Sequence, residues 1–435
     1  MANRKDARHP HPATRTLAAI GAGSMLLYGS RIFFDLFGPL LPYSMPKDLG
    51  AALDSEEFIQ FLSIVTDGTV RRARIRRLKN GDEFYPAQLQ AIRSAQRSIN
   101  LEFYEFEKGE IAGEILRTLT ERAQAGVEVR MIVDALGSFR TGEAYFDRLK
   151  AAGGRMRWYH PIRWDTWQRA NNRTHRKLLI VDGEIGFIGG AGIADHWLHA
   201  TAKGPSWRDT VFRLEGEAVA GLITTFSENW LECSGEILSG PAQFAFHAPR
   251  QGPRSFVVSS TPHGGSTQAR ILFQSLIRSA RDTISITTPY FLPDRSARRA
   301  LIEAVRDRGV RVRILTAGPH IDHAMVRKMS RHSSRHLLQA GAEIYEYQPS
   351  MIHAKLMTVD GQWSVVGSTN FDHRSFALND EVNLAALDRE LAGTIEADFF
   401  EDLKQSRKLT LEMLQRETAI GEAESIVGDV LKRES

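Results

Sequence analysis

One phrase is written twice in this chain. Thr174–Gly190 reads T-H-R-K-L-L-I-V-D-G-E-I-G-F-I-G-G, and Met351–Asn370 reads M-I-H-A-K-L-M-T-V-D-G-Q-W-S-V-V-G-S-T-N. Both copies hold H-x-K-x4-D: His175, Lys177 and Asp182 in the first, His353, Lys355 and Asp360 in the second. Gly189-Gly190 and Gly367-Ser368 follow at the same distance. Alternation puts His353 and Lys355 on one face of a strand and Ala354 on the other. The apolar run after them predicts a buried strand, Asp360-Gly361 a hairpin turn, and Trp363–Val366 the returning strand. That return carries Gly367-Ser368 back toward the histidine. An imidazole, an ammonium, a hydroxyl and a carboxamide brought together suit a phosphate group. The plain alternative is a buried hairpin with an incidental histidine and lysine. A lysine sharing a histidine's face on an apolar strand is costly to bury without cause, and the second copy makes coincidence a poor account.

The repetition extends beyond the two phrases. A-I-R-S-A-Q-R-S-I-N-L-E-F-Y-E-F (91–106) mirrors L-I-R-S-A-R-D-T-I-S-I-T-T-P-Y-F (276–291), and A-G-V-E-V-R-M-I-V (125–133) mirrors R-G-V-R-V-R-I-L-T (308–316). Each half reads strand, helix, strand, helix, strand and then the motif hairpin. Alternation of this kind predicts an α/β fold of two similar domains, each a mixed sheet layered by helices, with the site at their interface. The halves are expected over 69–250 and 251–410, divided near Q-G-P-R, with a helical tail over 411–435. The first half carries an insert, R-W-D-T-W-Q-R-A-N-N-R (163–173). Its tryptophans suit a lipid headgroup zone or a packed loop.

Residues 1–15 are polar and basic, 16–41 hydrophobic, and 42–68 a connector. Leu17–Ser30 is uncharged, and its 14 residues fall short of a spanning helix, which needs about 20. Extension to Leu41 adds Arg31 and Asp35, spaced to pair on a helix. An anchor, a cleaved signal and a surface-lying helix all fit; a membrane-associated segment is the reading adopted, since no small-x-small cleavage site is clear. Net charge is +4 and the pI is near 9.1, which favours anionic partners, lipid or nucleic acid. Arg71–Lys79 is strongly basic and reads as a headgroup contact or as a solvated strand edge. The single cysteine, Cys233, excludes an intrachain disulfide and reads as packing. No zinc spacing and no nucleotide loop are present, and His320, His323, His332 and His336 read as surface or cleft residues. No metal or cofactor is expected.

These motifs resemble the phospholipase D superfamily, which carries two H-x-K-x4-D motifs per active site, and within it the bacterial cardiolipin synthases. N-L-E-F-Y (100–104), W-R-D (207–209), T-P-Y-F-L-P-D (288–294), N-F-D-H-R-S-F (370–376) and L-N-D-E (378–381) extend the resemblance. Gly192 departs from it, standing where the family often has an asparagine. The resemblance implies a phospholipase D-type fold and a phosphohistidine intermediate, with His175 as nucleophile and His353 as general acid. Lys177, Lys355, Ser368, Asn370 and Gly190 would hold the phosphate. Glu381 would orient His353 and Asp209 would orient His175. Asp182 and Asp360, at the turns, are expected to serve structure. The implied reaction is phosphatidyl transfer with phosphatidylglycerol as donor and acceptor. Hydrolysis to phosphatidic acid, a phosphodiesterase or nuclease, and a non-catalytic anionic-lipid scaffold are the alternatives. The implied partners are a phospholipid and the surface of a bacterial inner membrane, with nucleic acid disfavoured and no obligate protein partner.

Overall fold

The computed structural model describes residues 50–161, 171–202, 204–244, 252–261 and 268–416, with isolated positions between 21 and 30. Most of the 16–41 stretch, the insert over 162–170 and the tail beyond 416 lie outside the described residues. Residues 1–43 form one unit and 44–435 another; the description below concerns the second. No helix among the described residues is long and apolar enough to cross a membrane.

The first half contributes β1 (Arg71–Lys79), β2 (Ser98–Phe103), β3 (Glu128–Asp134), β4 (Arg155–Tyr159), β5 (Lys177–Val181), β6 (Ile185–Gly189) and β7 (Thr210–Gly216). The second contributes β8 (Arg254–Ser260), β9 (Thr283–Thr288), β10 (Phe291–Leu292), β11 (Arg311–Ala317), β12 (Glu343–Tyr347), β13 (Leu356–Val359), β14 (Trp363–Gly367), β15 (Phe371–Asp372), β16 (Glu381–Leu387) and β17 (Ser406–Lys408). All but β10 and β15 join one 15-stranded sheet in the order β4-β3-β2-β5-β6-β7-β1-β8-β16-β14-β13-β9-β11-β12-β17. Apart from β17, that order is a palindrome about the junction of β1 and β8. Each strand of one half thus has its counterpart in the other, β5 facing β13 and β7 facing β16.

The junction corrects one expectation. Arg71–Lys79 is not a strand edge. It pairs with β7 from Ala73 to Lys79 and meets β8 at Arg71 and Arg72. Its basic side chains find partners across the halves: Arg77 and Lys79 each lie 3.2 Å from Asp398.

The motif strands are apolar because both of their faces are buried. Leu179 and Val181 enter the core beneath the first half's helices, while Leu178 and Ile180 enter a core shared between the halves. In the second half Met357 and Val359 face the helices and Leu356 the shared core. The shared core also takes Phe226 and Trp230 from the helix Val219–Ser234 and Ile395 from Arg389–Lys404. Cys233, half-buried, packs against it, and burial pushes its thiol up.

Each motif strand turns back through an aspartate and a glycine at positive φ: Asp182 and Gly183 at 55° and 69°, Asp360 and Gly361 at 52° and 60°. Such angles belong to a two-residue hairpin turn whose twist matches its strands. The aspartates also do a second task. Asp182 accepts from the backbone N–H groups of Gln96, Arg97 and Ser98 at 2.9, 2.7 and 2.9 Å. Asp360 accepts from Arg281, Asp282 and Thr283 at 2.8, 2.9 and 2.8 Å. Each carboxylate therefore fastens its hairpin to the chain entering β2 or β9, far along the strand from the histidine. Asp360→Ala should lower unfolding free energy by about 2 kcal/mol, since several N–H groups lose a charged acceptor. Asp360→Asn should cost less, and denaturant titration of both variants checks the order.

Candidate active site

The two halves meet through short backbone bridges beside each motif histidine. His175 N–H donates to the carbonyl of Asp380 at 2.8 Å, and Asp380 N–H donates to the carbonyl of Arg173 at 2.9 Å. His353 N–H donates to the carbonyl of Arg208 at 2.7 Å, and Arg208 N–H donates to the carbonyl of Met351 at 2.8 Å. Each histidine is thereby placed one residue from an acid belonging to the other half. His175 Nδ1 lies 3.0 and 3.1 Å from the two oxygens of Glu381. His353 Nδ1 lies 2.9 Å from Asp209 Oδ2. This reverses the expected pairing, in which Asp209 served His175 and Glu381 served His353. Sequence distance suggested partners within one half; the bridges cross between halves instead.

The acids are held differently. Ser368 Oγ donates to Glu381 Oε2 at 2.5 Å and accepts from Val382 N–H at 3.0 Å. Its proton is thus engaged by a carboxylate, and the expected phosphate contact gives way to a role behind Glu381. Asp209 takes the Trp197 indole N–H at 3.1 Å and the Thr210 backbone N–H at 2.7 Å. Gly190 packs directly behind it: a Cβ there would stand 2.5 Å from Asp209 Oδ1 and 2.7 Å from the His353 carbonyl. Asn370 is buried, and its carboxamide oxygen has no hydrogen-bond partner among the described residues. At Gly192 a Cβ would come within 2.9 Å of the Glu105 carbonyl and 3.1 Å of the Trp197 ring. The space filled by Asn370 in one half is therefore closed in the other.

Both lysines are buried beside their histidines. Lys177 Nζ donates to the His175 carbonyl at 2.6 Å. Lys355 Nζ donates to the His353 carbonyl at 2.5 Å and lies 2.9 and 3.1 Å from the two ring nitrogens. Among the described residues, neither ammonium is ion-paired to a carboxylate. Aromatic rings wall the cluster. Tyr104 stands edge-on to His175 at 5.4 Å, with Lys177 Nζ 5.5 Å above it. Trp197 and Trp207 stand 5.5 and 5.3 Å from His353. These rings fell inside recognisable blocks but had no role until the fold set them beside the imidazoles. Sequence reasoning also missed Asp402, a buried carboxylate that accepts from Arg208 Nε at 3.0 Å. It missed the Tyr159 hydroxyl as well, which donates to Asp380 at 2.5 Å. Both bonds cross between the halves.

The electrostatics follow from two imidazoles and two lysines sharing a buried site. Burial, opposed by Glu381 and reinforced by Lys177, lowers His175 to about 4. Burial and Lys355, opposed by Asp209, lower His353 to about 3. Both imidazoles are neutral at pH 7. Burial and then Lys355 lower Lys177 to about 7, and burial opposed by Asp209 and Glu381 lowers Lys355 to about 8. Burial pushes Glu381 and Asp209 up, but the charge and hydrogen bond of the facing histidine, with the lysines, hold both below the usual range. Both imidazoles and both lysines are thus pushed toward their unprotonated forms, a tendency that a nearby negative charge opposes.

A cavity of about 720 Å³ opens beside this cluster, lined by Tyr104, Phe139, His196 and Trp207 from the first half and by His320 and His323 from the second. On its wall Glu105, Glu107 and His196 bring ligand-capable atoms within 4.8 Å of one another. The sequence reading foresaw no such group. It borders the histidine and lysine cluster: Glu105 acts electrostatically on Lys177, and the His196 ring lies 4.1 Å from Trp207, which stands beside His353.

Comparison with known proteins agrees with this architecture. Residues 89–200 and 273–403 match the family described as cardiolipin synthase, PLD-like domain. The probable cardiolipin synthase YwiE of Bacillus subtilis is 35% identical over 340 residues, spanning 78% of this chain and 68% of that protein. A cardiolipin synthase of Listeria monocytogenes is 34% identical over 360 residues, spanning 81% and 74%. The crystal structure of phosphatidylserine synthase from Haemophilus influenzae superposes with a TM-score of 0.63 at 15% identity, over 86% of this chain and 99% of that one, a likeness of fold. The chain belongs to the phospholipase D superfamily, in its cardiolipin synthase-like family.

The crosswise pairing has a direct spectroscopic consequence. An imidazole N–H bonded to a carboxylate gives a downfield proton resonance in histidine-labelled protein. Glu381→Ala should erase the resonance that His175→Asn erases, and Asp209→Ala the one that His353→Asn erases. The opposite correspondence would return each acid to its own half.

Proposed function

We propose that this protein is a phosphatidyltransferase that makes cardiolipin from two molecules of phosphatidylglycerol through a phosphohistidine. One observation carries the reading: two imidazoles, each with its Nδ1 on a carboxylate, share a buried site with two lysines that have no ion pair to a carboxylate among the described residues. With Nδ1–H donated to the carboxylate, Nε2 presents a lone pair to the site. The ammoniums suit the non-bridging oxygens of a phosphodiester, where negative charge concentrates as it reacts. The family membership and the names of the relatives point to the same chemistry.

In this scheme His175 Nε2 attacks phosphorus and the bond to the headgroup glycerol breaks. The departing alkoxide takes a proton from His353 Nε2, which acquires that proton from solvent once the anionic substrate brings its negative charge into the site. The hydroxyl of a second phosphatidylglycerol then gives its proton to His353 and attacks phosphorus. Cardiolipin leaves, and His175 is regenerated. Two displacements replace one difficult one. Asp182 and Asp360 take no part in proton transfer. Glu381 supports His175 as nucleophile in a way the sequence did not suggest. The phosphorylated imidazole is cationic, and a carboxylate reaching it with both oxygens, itself held by Ser368, suits that charge.

Purified protein incubated with phosphatidylglycerol vesicles should yield cardiolipin and free glycerol by mass spectrometry. His175→Ala and His353→Ala should each lower turnover by at least about a thousandfold. Phosphatidic acid as the main product would make water the acceptor, and full activity in either variant would remove the shared site.

The nucleophile is tested by quenching the reaction with a slowly released substrate and mapping the adduct. A phosphatidyl group on the peptide holding His175 is expected. An adduct confined to the His353 peptide would reverse the two roles.

A further inference from the structure

Large apolar side chains face water on the cavity wall and on the helix that leads away from it. Leu136 and Phe139, on the first half's side of the cavity, are 40% and 68% exposed. Met325 and Met329, on the second half's helix Ala324–Ala340, are 75% and 53% exposed. That helix begins where the cavity wall ends: its N-cap residue is His323, itself a lining residue. Met325, Lys328, Met329, His332 and His336 are all exposed and recur at helical spacing, so they form one outward stripe.

A loosely held helix does not explain this stripe. The opposite side is fixed firmly: Arg331 reaches both oxygens of the buried Glu346 at 2.6 Å, Arg327 adds a contact at 2.7 Å, and Leu337 is buried in the core. The helix therefore presents its methionines on a rigid base.

Charge indicates what would cover them. The helix carries no acidic residue over its 17 positions, and Lys328 makes no ion pair among the described residues. Across the mouth, the Arg140 guanidinium lies 5.4 Å from the Phe139 ring, putting a cation beside an exposed aromatic. Apolar side chains interleaved with cations match the boundary zone of an anionic bilayer, where acyl chains meet phosphates. Unbranched methionine adapts to so irregular a phase.

We propose that this rim is a docking surface for an anionic phospholipid bilayer, with Leu136, Phe139, Met325 and Met329 entering the headgroup zone so that the cavity opens onto the membrane. The inference takes its motive from the phospholipid reading above, and its test is chosen to stand without turnover. Sedimentation would not discriminate, because the sequence offers a second membrane-seeking stretch over 16–41. The readout must be local. In the full chain with Cys233→Ser, spin labels are placed at Phe139→Cys, Met325→Cys and Met329→Cys. Ile64→Cys is the control: Ile64 is 79% exposed on the helix Glu56–Val65, whose Phe58 packs on Trp363 at the turn end of the motif hairpin, away from the histidines.

Adding phosphatidylglycerol vesicles should raise collisions of the three rim labels with oxygen and lower those with a water-soluble nickel chelate, with no change at position 64. Unchanged rim labels, or an equal response at position 64, would overturn the proposal. In parallel, Met325→Glu combined with Met329→Glu should lower turnover on vesicles by at least about tenfold. Turnover on monomerically dispersed short-chain phosphatidylglycerol should be unchanged. Equal loss on both substrates would also overturn docking. A wild-type protein inactive on either lipid would defeat the phospholipid reading, while the spin labels would still decide the surface.

Discussion

Each motif histidine depends on a carboxylate it does not share a half with. The geometry arises from the backbone: the bridge at Asp380 sets Glu381 against His175, and the bridge at Arg208 sets Asp209 against His353. Much of the surrounding structure keeps these bridges in place. The Tyr159–Asp380 bond, the Arg208–Asp402 pair and the Lys79–Asp398 contact all cross between halves near them. Breaking a buried charge pair such as Arg208–Asp402 by removing one partner costs about 3–5 kcal/mol. That loss would fall on the register of the paired histidines and acids as well as on stability.

Burial governs the ionisation of the site. It is the main cause of the lowered histidines and lysines, and the carboxylates of Glu381 and Asp209, with Asp372 and Asp322 near Lys355 and Glu105 near Lys177, oppose it at the lysines. An anion placed beside the lysines would raise the tendency of an imidazole to hold a proton.

The motif residues and the two-half organisation were legible because they depend on local rules. Alternation set His353 and Lys355 on one face, and Asp-Gly marked each turn. The duplication was visible because it preserved apolar runs and turn residues together. The pairing of acid with histidine was not legible. It depends on which chain segments bridge after two sheets have met, and the nearest carboxylate in sequence is a poor guide to that. Ser368 misled for a related reason. A serine after the return strand does come back to the site, but a carboxylate was already waiting for its proton. Arg71–Lys79 misled through composition, since a basic strand suggests an edge, whereas here Arg77 and Lys79 reach Asp398 and the strand joins the halves.

The palindromic sheet also bears on how such a chain can change over time. Duplicated halves are free to diverge only where neither relies on the other, and here the shared acids forbid that freedom at the centre. A substitution at Glu381 is felt by a histidine two hundred and six positions upstream, so the copies are bound to one history there. Away from the bridges they have drifted apart. Gly190 and Gly192 face Ser368 and Asn370 in corresponding places, and the two sides of one nearly symmetric chamber are no longer interchangeable. The chamber has thereby acquired a handedness that the near-symmetric strand order does not impose.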